Sequence, residues 1–350
     1  MTARPAPPPL TERALHLEDL GELIASIPSM IGFPPVDSLV LLTGSCADRL
    51  QLGTTVRVDL PEPQHGPDLV SQMCLAVTAN DVDSVLPVIV GGDRADPPDL
   101  PYRWLIELLA REMGDVGVLL VHPVWVPTVE RGVTWWCFEN PECTGQIRDP
   151  RSAVLTAMHA VAGFITYGSR EEMAANLAPD PEDQVAHRAQ LLAERATAPE
   201  HDPLDQWRTV RRAIESAAAG SELPELDDDE IVRLAEALCS PLVRDNCIAA
   251  LLTDLADAAD RLWTVLTRAI PAPERAEPAC LLAMNAYLRG EGVLANVALE
   301  TVLEADPDHE MAALLREAID KCMPPKDFHA MLTASVAAAD IVYAGTEASE

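Results

Sequence analysis

Lysine is almost missing from this chain. Lys321 and Lys326 are the only two in 350 residues, and arginine supplies the rest of the 25 basic side chains. They stand against 56 acidic residues, a formal charge of −31. Neutralising phosphates takes clustered Lys and Arg, so no nucleic-acid partner is expected. No membrane partner is expected for the same reason. The charge is spread, with a net −12 over residues 1–150 and −19 over residues 151–350. It reads as a solvated coat on both halves, which favours solubility.

No run of 18 apolar residues occurs, so no transmembrane helix is expected. The first ten residues, with Pro7, Pro8 and Pro9 in succession, hold no apolar signal core. A cytoplasmic location follows as an expectation, with the eight cysteines as reduced thiols. Zinc spacings are missing too: there is no C-x-x-C and no histidine pair at i, i+4. Cys137 and Cys143 alone could close a loop around an ion, at a poor spacing, so neither metal nor cofactor is expected. Cys239, Cys247 and Cys280 sit beside Leu and Ala in helical patterns and read as core. The phosphate-binding patterns G-x-G-x-x-G and G-x-x-x-x-G-K-[ST] and the nucleophile elbow G-x-S-x-G are all absent.

What is present is apolar material, 48% of the chain, enough for about two folded domains. Leu17, Leu20, Leu23, Ile24 and Ile27 form one helix face, with Pro28 as its expected end. Ser38 to Thr43 and Leu50 to Leu60 read as strands of a hairpin joined by a turn over 44–48. In the second, Thr55, Arg57 and Asp59 share one face, and Val56, Val58 and Leu60 the other. A helix over 68–80, a strand over 85–90, a helix over 101–113 and a strand over 116–121 follow. A hairpin then pairs 123–129 with 133–137. Residues 151–163 read as a helix and Phe164 to Tyr167 as a short edge strand. Ser169 and Glu172 form a capping box that opens a helix to about Leu177.

Beyond Pro181 the strand signals vanish. Nine helices are expected, over 182–197, 204–219, 228–239, 242–253, 255–269, 274–289, 292–304, 308–321 and 326–342. The fold class is therefore an α/β N-terminal domain with a mixed sheet, plus an all-helical C-terminal domain. The expected boundaries are a lead-in over 1–15, the α/β domain over 16–178, the helical domain over 179–344 and a tail over 345–350.

Two resemblances sit on particular residues. Pro28-Ser-Met-Ile-Gly-Phe-Pro-Pro-Val-Asp-Ser-Leu-Val40 and then Arg57-Val-Asp-Leu-Pro61 resemble an uncharacterised actinobacterial family catalogued as a domain of unknown function. Gly168 to Glu172 and Ala305 to His309 are similar to its later segments. The resemblance implies an α/β front and a helical back, and no activity, substrate or cofactor. The Trp135-Trp136-Cys137 stretch is similar too, with less Cys-Cys-Pro character, which weighs against a metal there. Ala283, Gly290, Ala295, Leu299 and Pro307 fall on spacings of a tetratricopeptide-like helix pair. One such unit is short of a solenoid, and an ordinary helix hairpin reads as well.

The candidate ligand-binding residues are Gly32, Asp37, Ser38, Arg57 and Asp59. Gly32 allows a backbone conformation closed to other residues. Arg57 could clamp a carboxylate or phosphate, with Asp59 orienting it; equally, these charges could pair with one another to satisfy the sheet edge. Val90-Gly91-Gly92-Asp93 is a weak phosphate-loop candidate. His122, before Pro123, could serve as a base near Cys137 or as a structural donor. The leading functional expectation is a non-enzymatic binding or scaffold protein whose helical half meets a protein partner. The alternative is a small-molecule or nucleotide-binding enzyme or sensor with its site near Gly32 and Arg57.

Overall fold

The computed structural model describes residues 19–45, 51–80, 82–92, 99–196, 202–220 and 223–338. The lead-in over 1–15, most of the turn over 44–48, the proline-rich loop over 93–98 and the tail over 345–350 lie outside them. The chain divides into two compact units. One runs through Glu172 and takes in Lys321–Pro324; the other holds Met173–Asp320 and resumes at Pro325.

The first unit is built on a mixed sheet of seven strands. β1 (Ser38–Ser45), β2 (Gln51–Asp59), β3 (Ser84–Val90), β5 (Val124–Val126), β6 (Thr134–Cys137) and β7 (Thr144–Gln146) lie in the order β2-β1-β3-β5-β6-β7. β4 (Leu119–Leu120) also pairs with β3. β3 pairs in parallel with β4 and β5, and every other pairing is antiparallel. Parallel pairing needs a crossover, which α3 (Arg103–Asp115) provides. α2 (Gly66–Ala79) packs beside α3, and α1 (Leu20–Ile31) packs against α4 (Val154–Val161). Leu39, Leu41, Val85 and Ile89 form one apolar cluster with Val70, Met73, Leu105 and Leu109 of α2 and α3. Val40, Leu42 and Val88 alternate with them and are equally buried. Strands covered on both faces read as continuous apolar runs, which is why β1 and β3 show no alternation. β2 is an edge strand and does alternate: Val56, Val58 and Leu60 pack on that cluster, leaving Thr55, Arg57 and Asp59 to the opposite face.

Three expectations about this unit need correction. Pro28 does not end α1. It forfeits one backbone bond, the helix continues to Ile31, and Gly32 closes it in the left-handed region at φ 92° with its N–H on the Pro28 carbonyl. The strand over 116–121 shrinks to Leu119–Leu120 because α3 runs on to Asp115. Phe164 to Tyr167 is not a strand; β7, unforeseen, borders the sheet instead.

The second unit is helical among the described residues. It begins in α5 (Arg170–Ala175), whose Ser169 hydroxyl accepts the Glu172 N–H at 3.1 Å. There follow α6 (Glu182–Arg195), α7 (Pro203–Ala218), α8 (Asp228–Leu238), α9 (Pro241–Leu251), α10 (Ala256–Ala269), α11 (Ala276–Leu288), α12 (Gly292–Ala305), α13 (Glu310–Asp320) and α14 (Pro325–Ala338). Asp227 and Glu230 form a reciprocal capping box on α8, so this acidic run serves the helix start. Trp207, Cys247 and Cys280 are buried. Cys239, expected in the core, is exposed instead: it falls at the end of α8, one residue past the last inward position.

Candidate functional site

The five residues expected to bind a ligand are held by protein partners. The Gly32 carbonyl accepts the Tyr167 N–H at 2.7 Å. Ser38 is fully buried; its hydroxyl donates to the Val36 carbonyl at 2.6 Å and accepts Arg57 Nε at 3.0 Å. The guanidinium pairs with Asp59 at 2.6 Å and lies over the Phe33 ring, 5.7 Å from its centroid. Arg57 is mostly covered, at 15% exposure, whereas Asp59 is 82% exposed. The Glu171 carboxyl is held below its ordinary value, chiefly by its own backbone N–H and the Ser169 hydroxyl, with the charges of Arg170 and Arg57 adding.

Asp37 serves a different neighbour. It occupies the left-handed region at φ 41°, and its Oδ1 accepts the Gly92 N–H at 2.7 Å. The Gly91 N–H donates to the Val126 carbonyl, and the Gly91 carbonyl accepts Trp125 Nε1 at 2.8 Å. Gly91 must be glycine: its φ is 79°, and a Cβ there would sit 2.5 Å from Asp37 Oδ1. Both glycine N–H groups are thus spent inside the protein, whereas a phosphate loop turns them toward its ligand.

A second cluster lies at the other end of the sheet. β4 and β5 are two pieces of one strand beside β3. Ser84 and Val85 face Leu119 and Leu120, while Val88 and Ile89 face Val124 and Trp125, so one extra residue has entered the run. His122 stands in that bulge at φ 49°, just before Pro123. A bulge re-aims a side chain. Here His122 Nε2 comes 3.2 Å from Cys143 Sγ, and one ligand atom each from His122, Cys137 and Cys143 lies within 4.8 Å of the other two. The cysteines close the β6–β7 hairpin, the Cys137 N–H on the Cys143 carbonyl at 3.0 Å. Glu139 N–H points at Cys137 Sγ at 3.4 Å, and Arg103 donates to the Phe138 carbonyl at 3.0 Å. Trp135 meets the His122 ring edge-on at 6.4 Å. Burial, and then the neighbouring Cys137, push the Cys143 thiol up. Five residues lie between the two cysteines, and the hairpin brings them side by side. The signals available in sequence were the His-Pro step inside an apolar run and the Asn140-Pro141 turn between the thiols.

The helical unit holds a groove of about 260 Å³ between α9, α11, α13 and α14. Ile248, Met284, Met311, Leu314, Phe328 and Met331 line it, with Asp245 at its polar margin. Leu314 is 60% exposed and Met331 45%.

Among the described residues, no helix is long and apolar enough to cross a membrane. Neither a curated protein nor a solved structure matches the chain. One family model does, over residues 21–326, a span that takes in the sheet, the thiol–imidazole cluster and most of the helices. The chain belongs to the family described as Domain of unknown function (DUF4192).

Proposed function

We propose that this is a non-enzymatic, cytoplasmic binding protein whose helical unit receives an amphipathic helix with basic flanks from a partner protein. The observation that carries the proposal is the apolar groove, with Leu314 and Met331 left open to solvent. Three of its lining side chains are methionines, whose flexible thioethers repack around different apolar ligands. Helix-in-groove docking uses such a surface. Basic flanks follow from charge, since residues 151–350 carry a net −19 and Asp245 borders the groove. The tetratricopeptide-like reading belongs to the same proposal. Ala283, Ala295 and Leu299 are fully buried where α11 meets α12, and α11 lends Met284 to the groove.

The test is a photo-crosslinking residue at position 314 of the full chain, expressed in the native host. A partner crosslinked through a basic amphipathic helix, and lost in Met331→Glu, is expected. Crosslinks only to a second copy of the chain, or a partner held equally well by Met331→Glu, would overturn the proposal.

A ligand site at Gly32, Asp37, Ser38, Arg57 and Asp59 is the second reading. It is favoured by the exposed Asp59 carboxylate beside a largely sheltered guanidinium. Thermal shift against nucleotides and small carboxylates decides it: a rise in Tm absent from a folded Arg57→Met chain supports a site. If no ligand shifts wild type, the five residues serve the sheet edge.

A further inference from the structure

We propose that His122, Cys137 and Cys143 form a binding site for a thiophilic divalent cation of the zinc class, with the fourth position open to water or an exchangeable ligand. The donor chemistry fits: two thiolates and one imidazole are a borderline-soft set, and three protein ligands with one open place is a recurrent zinc arrangement. The distances fit as well. Bonds of about 2.3 Å to sulfur and 2.0–2.1 Å to nitrogen at tetrahedral angles place sulfurs about 3.8 Å apart and nitrogen about 3.6 Å from sulfur. The three ligand atoms already lie within 4.8 Å of one another, and the Nε2–Sγ distance to Cys143 is 3.2 Å. Closure about an ion therefore takes shifts of about 1 Å or less, within reach of side-chain rotation.

Three further features prepare the site. His122 is a non-glycine residue at φ 49° in a strand bulge, a strained conformation of the kind kept where a side chain must be aimed. The Glu139 N–H on Cys137 Sγ is the hydrogen bond that steadies a metal-bound thiolate. Arg103, through the Phe138 carbonyl and a stacking distance of 5.6 Å to the Phe138 ring, fastens the hairpin loop that carries both thiols. Binding sends the two thiol protons to solvent and leaves a neutral site, two negative sulfurs against a doubly charged ion.

The experiment uses the full chain without a histidine tag, reduced, and titrated with Co²⁺ as the optical probe. A thiolate-to-cobalt charge-transfer band saturating near about one equivalent per chain is expected, reversed by Zn²⁺. Cys143→Ser should abolish the band, and His122→Ala should weaken binding by at least about 10-fold. Circular dichroism checks that each variant is folded. If Cys137→Ser, at a buried position, does not fold, the half-buried Cys143 and His122 variants still decide. A folded, reduced wild type with no band, or a band that survives Cys143→Ser, overturns the site. So does thiol counting that finds Cys137 and Cys143 joined as a disulfide in protein prepared under reductant.

Discussion

Around the sheet, the buried polar side chains are small, His159 apart, and most bond the backbone. Ser26, Thr43 and Ser84 donate to the carbonyls of Glu22, Thr54 and Gly44. In the helical unit, larger and charged groups bridge one helix to another. Arg188 of α6 is 7% exposed; it donates to Asp180, to Asp228 at the start of α8 and to the Ala269 carbonyl at the end of α10. Arg289 bonds Asp260 of α10 at 2.9 Å, and Asn285 of α11 bonds the same carboxylate at 3.0 Å. The difference follows from where backbone hydrogen bonds go. A sheet spends them between strands, so its register is set before side chains contribute. A helix spends them within itself, and neighbouring helices slide unless side chains pin them. Polar bridges with fixed geometry supply that pin at a cost in desolvation.

The largest expected effect tests this contrast at two arginines. Arg188→Met takes the nearer cation from Asp180 and should cost about 3 kcal/mol, near the lower end for a broken buried pair, because Asp180 keeps Arg268 at 3.6 Å and Asp228 still reaches water. Burial alone would make Arg188 easier to deprotonate, but its two carboxylate partners outweigh this and hold it charged. Arg57→Met should cost about 1 kcal/mol, since Asp59 is already solvated and the Ser38 hydroxyl keeps its bond to Val36. Urea unfolding followed by circular dichroism measures both. Equal losses would break the distinction between the units.

A smaller effect is expected at the strand exit. Asp37→Ala loses the bond to the Gly92 N–H and leaves a β-carbon in the left-handed region, for about 1–2 kcal/mol. Asp37→Asn keeps an acceptor and a residue that tolerates that conformation, so it should cost less than about half as much. A reversed order in urea midpoints would mean that the charge of Asp37, and not its geometry, secures the exit.

Much of this architecture was legible because it is local. The helices from α6 to α14 fall within a few residues of their expected positions, since periodicity and Asp, Ser or Pro at the joints fix each from its own sequence. The faces of β2 followed from alternation. Pro28 misled because a proline in the last turn removes one bond without ending the helix. Arg188 gave no signal at all: its partners come from two other helices and a loop, and nothing near Arg188 marks it. The thiol–imidazole cluster was visible only in pairs: Cys137 with Cys143 as a loop that could close on an ion, and His122 with Cys137. What brings all three together is the β6–β7 pairing and the bulge at His122, and β7 is too short and too polar to announce itself. Across β6–β7, Gly145 lies under the Trp135 ring, where a Cβ would come within 2.8 Å of it, so the glycine marks a packing contact that linear spacing does not encode.

The smallest effect concerns pH and separates the units once more. His159 is 8% exposed, its Nδ1 is 3.0 Å from the Ser29 hydroxyl, and its ring lies 5.2 Å from Phe164, joining α4 to α1. Burial lowers its pKa below the ordinary 6.5, and the Ser29 contact only partly restores it. Between the lowered value and 6.5 the unfolded chain therefore holds a proton that the folded chain does not. Stability contributed by the neutral ring is complete above about pH 6.5 and is lost as the pH falls through the folded value, with a slope that cannot exceed about 1.4 kcal/mol per pH unit. His159→Gln keeps a polar side chain of similar reach and cannot titrate, so its stability should run flatter than wild type between pH 7.5 and about pH 5. Arg188 stays charged throughout that window. The slope difference should therefore persist in an Arg188→Met background, and its disappearance there would show that His159 and Arg188 are energetically coupled.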